Sequence, residues 1–312
     1  MITNFLQGNT LTRLLDFPDK AFDVVITSPP YLGLRDYGAE GQIGLEATID
    51  EYINKLTHIF LQCARVLKDE GTLWINIGDT FAGSKVGNTS NKSKPTANTS
   101  SFKKNITEVK NKSLCLIPHR LALSLLKEGL ILRDEIHWLK TNCAPESVKD
   151  RCTRDYEYIF RFVKQPQYFH RQITEPCKTK PPKQLIDTRG FTTKENTQQP
   201  QSDDRHGKAI NYGEFKNMRT TWQIPTQAYK GSHCAVFPME LVNRCLEASC
   251  PEGGHVLDPF SGAGTTALVC AKRGLDFTGI ELNPQYIEDS KARLAEYRKS
   301  NGIMLEGENT HV

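Results

Sequence analysis

The stretch HVLDPFSGAGTTALVCAKRGLDFTGIE, residues 255–281, decides the fold class of this 312-residue chain. His255–Asp258 has the pattern of a short buried strand. Thr265–Arg273 has the apolar spacing of a helix ended by Gly274, and Phe277–Glu281 is a second strand. A strand, a glycine-rich turn, a helix and a second strand in this order form the unit that holds nucleotides in doubly wound α/β sheets.

The turn inside this unit has the residues that an adenosine-containing cofactor requires. Gly262 and Gly264 allow a tight turn and a close approach of the backbone to a ligand, and Ala267 allows the helix to pack closely on the strand. Glu281 can accept hydrogen bonds from both hydroxyls of a ribose. No lysine follows the second glycine, which disfavours a P-loop, but G-x-G-x-x-A also lies within the NAD fingerprint. The cofactor therefore stays open at this point.

The rest of the chain continues the alternation of strands and helices, which predicts an α/β fold with a mostly parallel sheet. Strands are predicted at Phe22–Thr27, Gly71–Gly78, Leu130–Leu139 and Tyr156–Val163, and helices at Ile49–Leu67, Leu114–Leu126 and Gln285 to about Arg298. We assign 1–164 and 221–312 to one catalytic domain.

Two stretches lack this periodicity. Residues 83–113 are dominated by Ser, Thr, Asn and Lys, which predicts a mobile basic loop. Residues 165–220 are proline-rich and basic, and a structureless segment of that length inside a compact domain is usually functional. We interpret 165–220 as a small recognition region, with a surface insertion of no special role as the alternative.

Composition argues against a disulfide-rich secreted protein and against a membrane-spanning protein. Apolar residues make up 38% and charged residues 24% of the chain, which is typical of a soluble globular protein, and the net charge of +4 fits a polyanionic partner without requiring one. The nine cysteines form no C-x-x-C pair, so we expect reduced thiols and no metal site. Without a signal peptide or an apolar run of about 18 residues, the expected location is the cytoplasm.

A second chemical motif lies at residues 23–31, where the apolar run DVVIT ends in SPPY. Prolines have carbonyls but no N–H groups, so this loop is rich in acceptors. The exocyclic amine of cytosine or adenine is a poor nucleophile, because its lone pair is delocalised into the ring. Acceptors at the Ser28 hydroxyl and the Pro29 carbonyl would hold its two hydrogens and free that lone pair.

The same loop predicts the other catalytic contacts. Pro30 completes the acceptor-rich turn, and Tyr31 offers a flat face on which a flipped-out base can stack. Attack on a methyl group is an in-line displacement, so positioning should supply most of the catalysis. Asp23 and Asn76 also lie near strand ends, and the sequence does not rank them. The alternative for this loop alone is an extended turn after a strand, without a catalytic role.

The SPPY loop resembles motif IV, and the glycine turn resembles motif I, of the DNA amino-methyltransferases that modify adenine N6 or cytosine N4. The motif order, with the catalytic loop first and the cofactor loop last, is similar to their β-class arrangement and to a subgroup with Thr-Ser-Pro-Pro-Tyr. Further similar motifs are TSPPYLGLRDY at 27–37, GQIGL at 41–45, GTLWINIGD at 71–79, IHWLK at 136–140, PES at 145–147 and KGSHCAVFP at 230–238.

This resemblance implies a Rossmann-like methyltransferase fold with a seven-stranded sheet, S-adenosyl-L-methionine as cofactor and double-stranded DNA as substrate. It also implies that 165–220 recognises the target sequence. Gly8–Asn9 stands where the family usually has Gly-Asp, so a polar cofactor contact there is in doubt. The implied cofactor-binding residues are Asp258, Pro259, Phe260, Gly262, Gly264, Thr265 and Thr266, with Glu281 at the ribose and Phe237 and Pro238 lining the same pocket.

Serine at position 28 resembles the enzymes that make N4-methylcytosine, because adenine enzymes usually have Asp or Asn there. Cytosine is therefore favoured and adenine is the alternative. A cognate restriction endonuclease is a possible partner, and a monomer and a dimer are both open. Candidate DNA phosphate contacts are Lys103, Lys104, Arg205, Lys208, Lys216 and Arg219.

Three other interpretations remain open: an NAD-linked oxidoreductase, a DNA-binding protein with a decayed active site, and the same chemistry on RNA or protein.

Overall fold

The computed structural model describes residues 1–34, 39–83, 108–177, 215–227 and 237–303. Contacts divide the chain into a larger unit, Met1–Arg171 with Thr220–Val312, and a smaller unit, Gln172–Arg219. The division falls inside the range 165–220 that the sequence set apart, because the backbone N–H groups of Phe169 and Arg171 donate to the carbonyls of Glu70 and Ala248 in the larger unit.

The larger unit alternates strands and helices along most of its length. In chain order its elements are β1 (Thr3–Gln7), α1 (Thr10–Leu15), β2 (Phe22–Thr27), α2 (Ile49–Val66), β3 (Leu67–Ile77), α3 (Ile117–Lys127), β4 (Ile131–Leu139) and β5 (Tyr156–Val163). The smaller unit then contributes β6 (Thr174–Pro176) and β7 (Phe215–Asn217). The larger unit resumes with β8 (Thr221–Gln223), α4 (Met239–Ser249), β9 (His255–Asp258), α5 (Thr265–Arg273), β10 (Asp276–Glu281) and α6 (Pro284–Asn301).

One eight-stranded sheet, in the order β1-β10-β9-β2-β3-β5-β4-β8, organises the larger unit. The strands from β1 to β3 are all parallel, β5 is antiparallel to both of its neighbours, and β8 is parallel to β4. The mostly parallel α/β sheet that the sequence predicted is therefore present. The family resemblance implied seven strands, and the sheet has eight. The sequence indicated neither of its two edge strands, β1 and the three-residue β8.

Helix α2 illustrates how the sequence dictates these elements. The Thr48 side chain accepts a hydrogen bond from the Glu51 backbone at its start, and acidic Asp50 and Glu51 occupy the positive end of the helix dipole. Most of its apolar residues fall on one face and are buried, with Tyr52 and Leu56 fully enclosed. That face packs against α3 and the sheet, so α2 covers the side of the sheet below the catalytic loop.

Most predicted elements occur where the sequence placed them. The bounds of β2, β5, β9 and α5 agree with the predicted ranges, whereas β3 begins at Leu67, directly after α2, and α3 begins at Ile117. The elements β1, α1 and α4 were not predicted. The predicted basic loop at 83–113 lies largely outside the described residues.

The smaller unit is described at both ends of its chain, where β6 and β7 pair antiparallel. Two of the predicted DNA contacts fall here, and both are ion-paired with Glu175: Arg219 Nε lies 2.6 Å and Lys216 Nζ 3.4 Å from its Oε1. Lys103, Lys104, Arg205 and Lys208 lie outside the described residues.

Two further sequence expectations concern the whole chain. Within the described ranges, no helix combines the length and apolar character needed to cross a bilayer. The eight described cysteines are free thiols, and Cys63, Cys115, Cys245, Cys250 and Cys270 are buried.

Candidate active site

The two motifs identified in the sequence leave the sheet from adjacent parallel strands. Strand β9 pairs with β2 through Val256 beside Val24 and Leu257 beside Val25. From β9 the chain continues through α5 to β10 on one side, and from β2 it continues through α2 to β3 on the other. The crevice at the carboxyl ends of β9 and β2 is therefore the topological switch point, where ligands of open α/β sheets bind.

A cavity of about 460 Å³ opens at this switch point, and both loops line it. All four residues of the predicted catalytic loop, Ser28, Pro29, Pro30 and Tyr31, contribute to its wall. So do five of the predicted cofactor residues: Phe237, Phe260, Gly262, Thr265 and Glu281. The remaining five, Asp258, Pro259, Gly264, Thr266 and Pro238, do not line the cavity, and several of them support it from behind.

Asp258 is the clearest of these supporting residues. It is fully buried, and its carboxylate accepts hydrogen bonds from the hydroxyls of Thr27 (2.7 Å) and Thr266 (2.6 Å) and from the Phe260 N–H (3.1 Å). Burial raises the pKa of Asp258 to about 6, although these hydrogen bonds oppose the shift. One buried carboxylate thus holds the strand before the catalytic loop and the helix after the glycine turn in fixed relation.

The glycine turn is shaped by positive backbone angles and close packing. Gly264 has φ +70° and precedes α5, and a Cβ atom there would lie 2.9 Å from Ser290 Cβ on α6. The Ser290 hydroxyl donates to the Gly262 carbonyl (2.8 Å). Pro259 contributes its carbonyl, which accepts a hydrogen bond from the Thr10 hydroxyl (2.8 Å). These contacts fix the turn so that Thr265, the first residue of α5, faces the cavity.

Glu281 ends β10 with its carboxylate in the cavity wall. Oε2 accepts from the Gly262 N–H and Oε1 from the Asn283 N–H, both at 2.9 Å. Burial raises the pKa of Glu281, and its backbone hydrogen bonds oppose that shift. A carboxylate has about four lone-pair sites, so both oxygens keep acceptor capacity for hydroxyl groups of a ligand.

The acceptors of the catalytic loop are not equivalent. The buried Tyr52 hydroxyl donates to the Pro30 carbonyl at 2.8 Å, and this bond anchors the loop to α2. Among the described residues, no hydrogen bond to the Pro29 carbonyl occurs. The Ser28 hydroxyl faces the cavity and lies 3.3 Å from the Tyr31 hydroxyl.

A polar network behind Tyr31 was not predicted as a unit. The Tyr31 hydroxyl donates to Glu157 Oε2 (2.6 Å), Asn76 Nδ2 donates to both Tyr31 (2.9 Å) and Glu157 (2.6 Å), and Lys140 Nζ donates to Glu157 Oε1 (2.5 Å). Gly78 makes room for this arrangement, because a Cβ there would lie 2.8 Å from Tyr31 Cε2. Lys140 ends a family-like motif in the sequence, but nothing local indicated Glu157.

The structure also separates the two polar residues that the sequence left unranked. Asn76 lies near the carboxyl end of β3, beside the site. Asp23 lies at the start of β2, at the amino ends of the parallel strands and away from the cavity. There it pairs with Lys68 (2.8 Å) and accepts from the His255 N–H (2.9 Å). Asp23 therefore has a structural role, because only the carboxyl ends of these parallel strands reach the cavity.

Asn9, at the position where the family usually has Asp, lines the cavity, and its side chain caps α1 by accepting from the Leu11 and Thr12 N–H groups. Trp138 of the IHWLK motif is also in the wall, together with Gln227 and Tyr286, which the sequence did not single out. Pro238 precedes α4 as its N-cap, and residues 230–236 of the KGSHCAVFP motif lie outside the described part of the chain.

The fold and the site define an α/β protein with a nucleotide-type ligand crevice at the topological switch point and an acceptor-rich loop facing it. The chain belongs to the N6/N4 DNA methylase family, whose profile matches residues 22–292. It is 36% identical over 307 residues to the type II methyltransferase M.Cfr9I of Citrobacter freundii, covering 98% of this chain and 88% of that protein.

Solved structures agree with the fold. The PvuII DNA methyltransferase, described as cytosine-N4-specific, superposes with a TM-score of 0.62 at 16% identity, covering 97% of this chain and 94% of that one. The protein TTHA0409 of Thermus thermophilus, in complex with S-adenosyl-L-methionine, superposes with a TM-score of 0.58 at 22% identity, covering 95% of this chain and 94% of that one. The predicted Rossmann-like methyltransferase fold is confirmed.

Proposed function

We propose that this protein transfers a methyl group from S-adenosyl-L-methionine to the N4 amine of a cytosine flipped out of double-stranded DNA. One observation supports this most directly: the acceptor-rich loop at Ser28–Tyr31 and the glycine turn with Glu281 line the same cavity. The methyl donor and the base amine that receives the methyl group must meet in one site. The glycine turn with Glu281 suits the donor, and the loop at Ser28–Tyr31 suits the amine.

The residues present fit the cofactor. Glu281 keeps acceptor capacity for the two ribose hydroxyls, and Gly262 leaves the backbone accessible at the turn. Phe237, Phe260 and Thr265 line the part of the wall proposed to hold the methionine end. When bound, the cofactor supplies an electrophilic methyl group on a sulfonium sulfur.

The catalytic loop supplies positioning. The Ser28 hydroxyl and the Pro29 carbonyl accept the two hydrogens of the base amine, which favours a tetrahedral nitrogen with its lone pair directed at the methyl group. The Pro30 carbonyl is engaged by Tyr52 and serves to hold the loop instead. Since a paired amine inside a duplex cannot reach this loop, the base must leave the stack, and Tyr31 offers the face on which it rests.

Cytosine is favoured over adenine because residue 28 is serine. Its short side chain places the acceptor close to the backbone of β2, whereas Asp or Asn would project an acceptor further into the cavity. Adenine N6 is the alternative acceptor, since its amine presents the same two hydrogens.

Recognition of the DNA sequence is assigned to the region around the smaller unit, within residues 165–220. Arg219 and Lys216 in this unit are exposed to about half of their surface, but their shared pairing with Glu175 reduces the charge they offer to phosphates. A cognate endonuclease remains a proposed partner, suggested by the type II relatives.

The product identifies the function. DNA incubated with the protein and S-adenosyl-L-methionine is digested to nucleosides, and mass spectrometry is expected to detect N4-methylcytosine. Ser28→Ala is expected to lower the rate strongly while binding S-adenosylhomocysteine normally. N6-methyladenine as the product would overturn the choice of cytosine, and the absence of any methylated base would favour a DNA-binding protein without activity.

A further inference from the structure

Glu157 lies in the cavity wall, although no step of the proposed reaction uses it. Strand β5 is antiparallel to β3, so the first residues of β5 lie beside the last residues of β3. This topology brings Glu157, near the start of β5, beside Tyr31 and Asn76. Lys140 follows the end of β4, which is also antiparallel to β5, and its ammonium group reaches the same carboxylate.

The hydrogen bonds of this cluster have a fixed direction. An ionised carboxylate has no hydrogen to donate, and Glu157 forms an ion pair with the Lys140 ammonium group. Glu157 must therefore accept, and Tyr31 must donate its only hydroxyl hydrogen to it (2.6 Å). The Tyr31 oxygen is left as an acceptor, which receives the Asn76 amide at 2.9 Å.

The direction extends to Ser28. With the Tyr31 hydrogen engaged, the contact of 3.3 Å between Ser28 and Tyr31 is satisfied only when the Ser28 hydroxyl donates. That donation uses the single hydrogen of Ser28, so its lone pairs remain for other donors. Burial and the neighbouring Glu157 raise the pKa of Tyr31 well above its ordinary value, which keeps the Tyr31 hydroxyl protonated.

We propose that Glu157 is a positioning residue that fixes the Ser28 hydroxyl as a hydrogen-bond acceptor toward the amine of the target base. This rests on the proposed function of Ser28. A glutamine at 157 keeps the shape but can donate as well as accept, so the direction of the chain from Ser28 through Tyr31 is no longer imposed.

The test compares Glu157→Gln, Tyr31→Phe and the double variant. Each single change is expected to lower kcat by about ten- to a hundredfold, with little change in KM for DNA, because it disturbs the orientation of the acceptor and not substrate binding. Since both changes interrupt one chain, the double variant should be no slower than the slower single variant. Glu135→Gln is the matched control: it makes the same change on the neighbouring β4, outside the cavity, and should keep the wild-type rate.

Three results would overturn the proposal: wild-type kcat in Glu157→Gln, losses that multiply in the double variant, or a raised KM with unchanged kcat. If Glu157→Gln fails to fold or to bind S-adenosylhomocysteine, Tyr31→Phe decides, because it leaves the pair of Glu157 and Lys140 intact. A wild-type protein that makes N6-methyladenine would refute only the choice of cytosine, since both bases present an exocyclic amine. A wild-type protein that methylates no base would refute the proposed function and this role together.

Discussion

Asp258 acts at the scale of a single residue, as the contact between the two halves of the site. Its carboxylate accepts from Thr27 before the catalytic loop and from Thr266 on α5, so neither loop can shift without breaking a buried hydrogen bond. The cost is a carboxylate held in an apolar environment. Burial raises the pKa of Asp258 to about 6 from its ordinary 3.8, and the nearby Glu281 carboxylate adds to the shift.

This shift predicts how stability depends on pH. A folded-state pKa above the unfolded value means that the folded protein binds the proton more tightly. The stabilisation is therefore complete below about pH 4 and is lost as pH rises through about 6. Asparagine at 258 does not titrate, so Asp258→Asn should gain stability relative to wild type by up to about 3 kcal/mol between pH 4 and pH 7.

Urea unfolding of both proteins across this pH range, without cofactor, measures the difference. The absolute stability of Asp258→Asn is not the readout, because its amide alters the hydrogen bonds to Thr27 and Thr266. The readout is how the difference between their free energies of unfolding changes with pH. If the two free energies run parallel from pH 4 to pH 7, Asp258 has an ordinary pKa.

Residues that act through local chemistry were accessible to sequence reasoning. Ser28 and Tyr31 stand in one short loop, and Glu281 ends the strand after a glycine turn, so composition and order were informative. The cluster of Glu157, Asn76 and Lys140 was not accessible. Asn76 lies on β3, Lys140 directly follows β4 and Glu157 lies on β5, and they meet because β5 is antiparallel to both neighbouring strands, which the sequence does not reveal.

At the scale of elements, helix α5 connects the glycine turn of the cofactor site to strand β10. Two glycines with nearly the same left-handed conformation bound this helix. Gly264 precedes it with φ +70°, and Gly274 follows it with φ +68°. Their surroundings differ. A Cβ at 264 would lie 2.9 Å from Ser290 Cβ on α6, whereas a Cβ at 274 would meet nothing within 4 Å.

This pair predicts different effects for the same substitution. Gly274→Ala should destabilise the protein by about 1–2 kcal/mol through its backbone angle alone. Gly264→Ala should lose about 1–3 kcal/mol more, because the added methyl group forces α6 and the buried Ser290 away from the turn. Only Gly264→Ala should weaken S-adenosylhomocysteine binding. Calorimetry and urea unfolding of the two variants test this, and equal effects would mean that the contact with α6 does not shape the turn.

Elements with strong periodicity were predicted closely, and weak ones were missed. Strand β5 has a continuous buried stretch and matched its predicted bounds, as did α5. Strand β1 has five residues and no fully buried position, and α1 has only six residues, so neither gives a periodic signal. Their places depend on partners far along the chain: β1 pairs with β10, and Thr10 of α1 donates to the Pro259 carbonyl.

At the scale of the whole molecule, a ligand that binds only the folded protein stabilises all of it. The cavity joins both loops and the ends of β9, β10 and β2, so its occupation opposes unfolding of the entire larger unit. At a concentration of about 100 times its Kd, such a ligand adds about 2.7 kcal/mol to the free energy of unfolding. S-adenosylhomocysteine should therefore raise Tm by several degrees.

The same measurement compares the methyl donor with NAD, the other cofactor whose fingerprint the glycine turn matches. NADH should leave Tm unchanged if the cavity is specific for the methyl donor, because only a ligand that binds the folded protein raises Tm. Glu281→Ala should reduce the shift caused by S-adenosylhomocysteine, since the carboxylate that accepts the ribose hydroxyls is gone. A Tm raised by NADH and unaffected by S-adenosylhomocysteine would reverse the assignment of the cofactor, and with it the reaction assigned to the loop at Ser28–Tyr31.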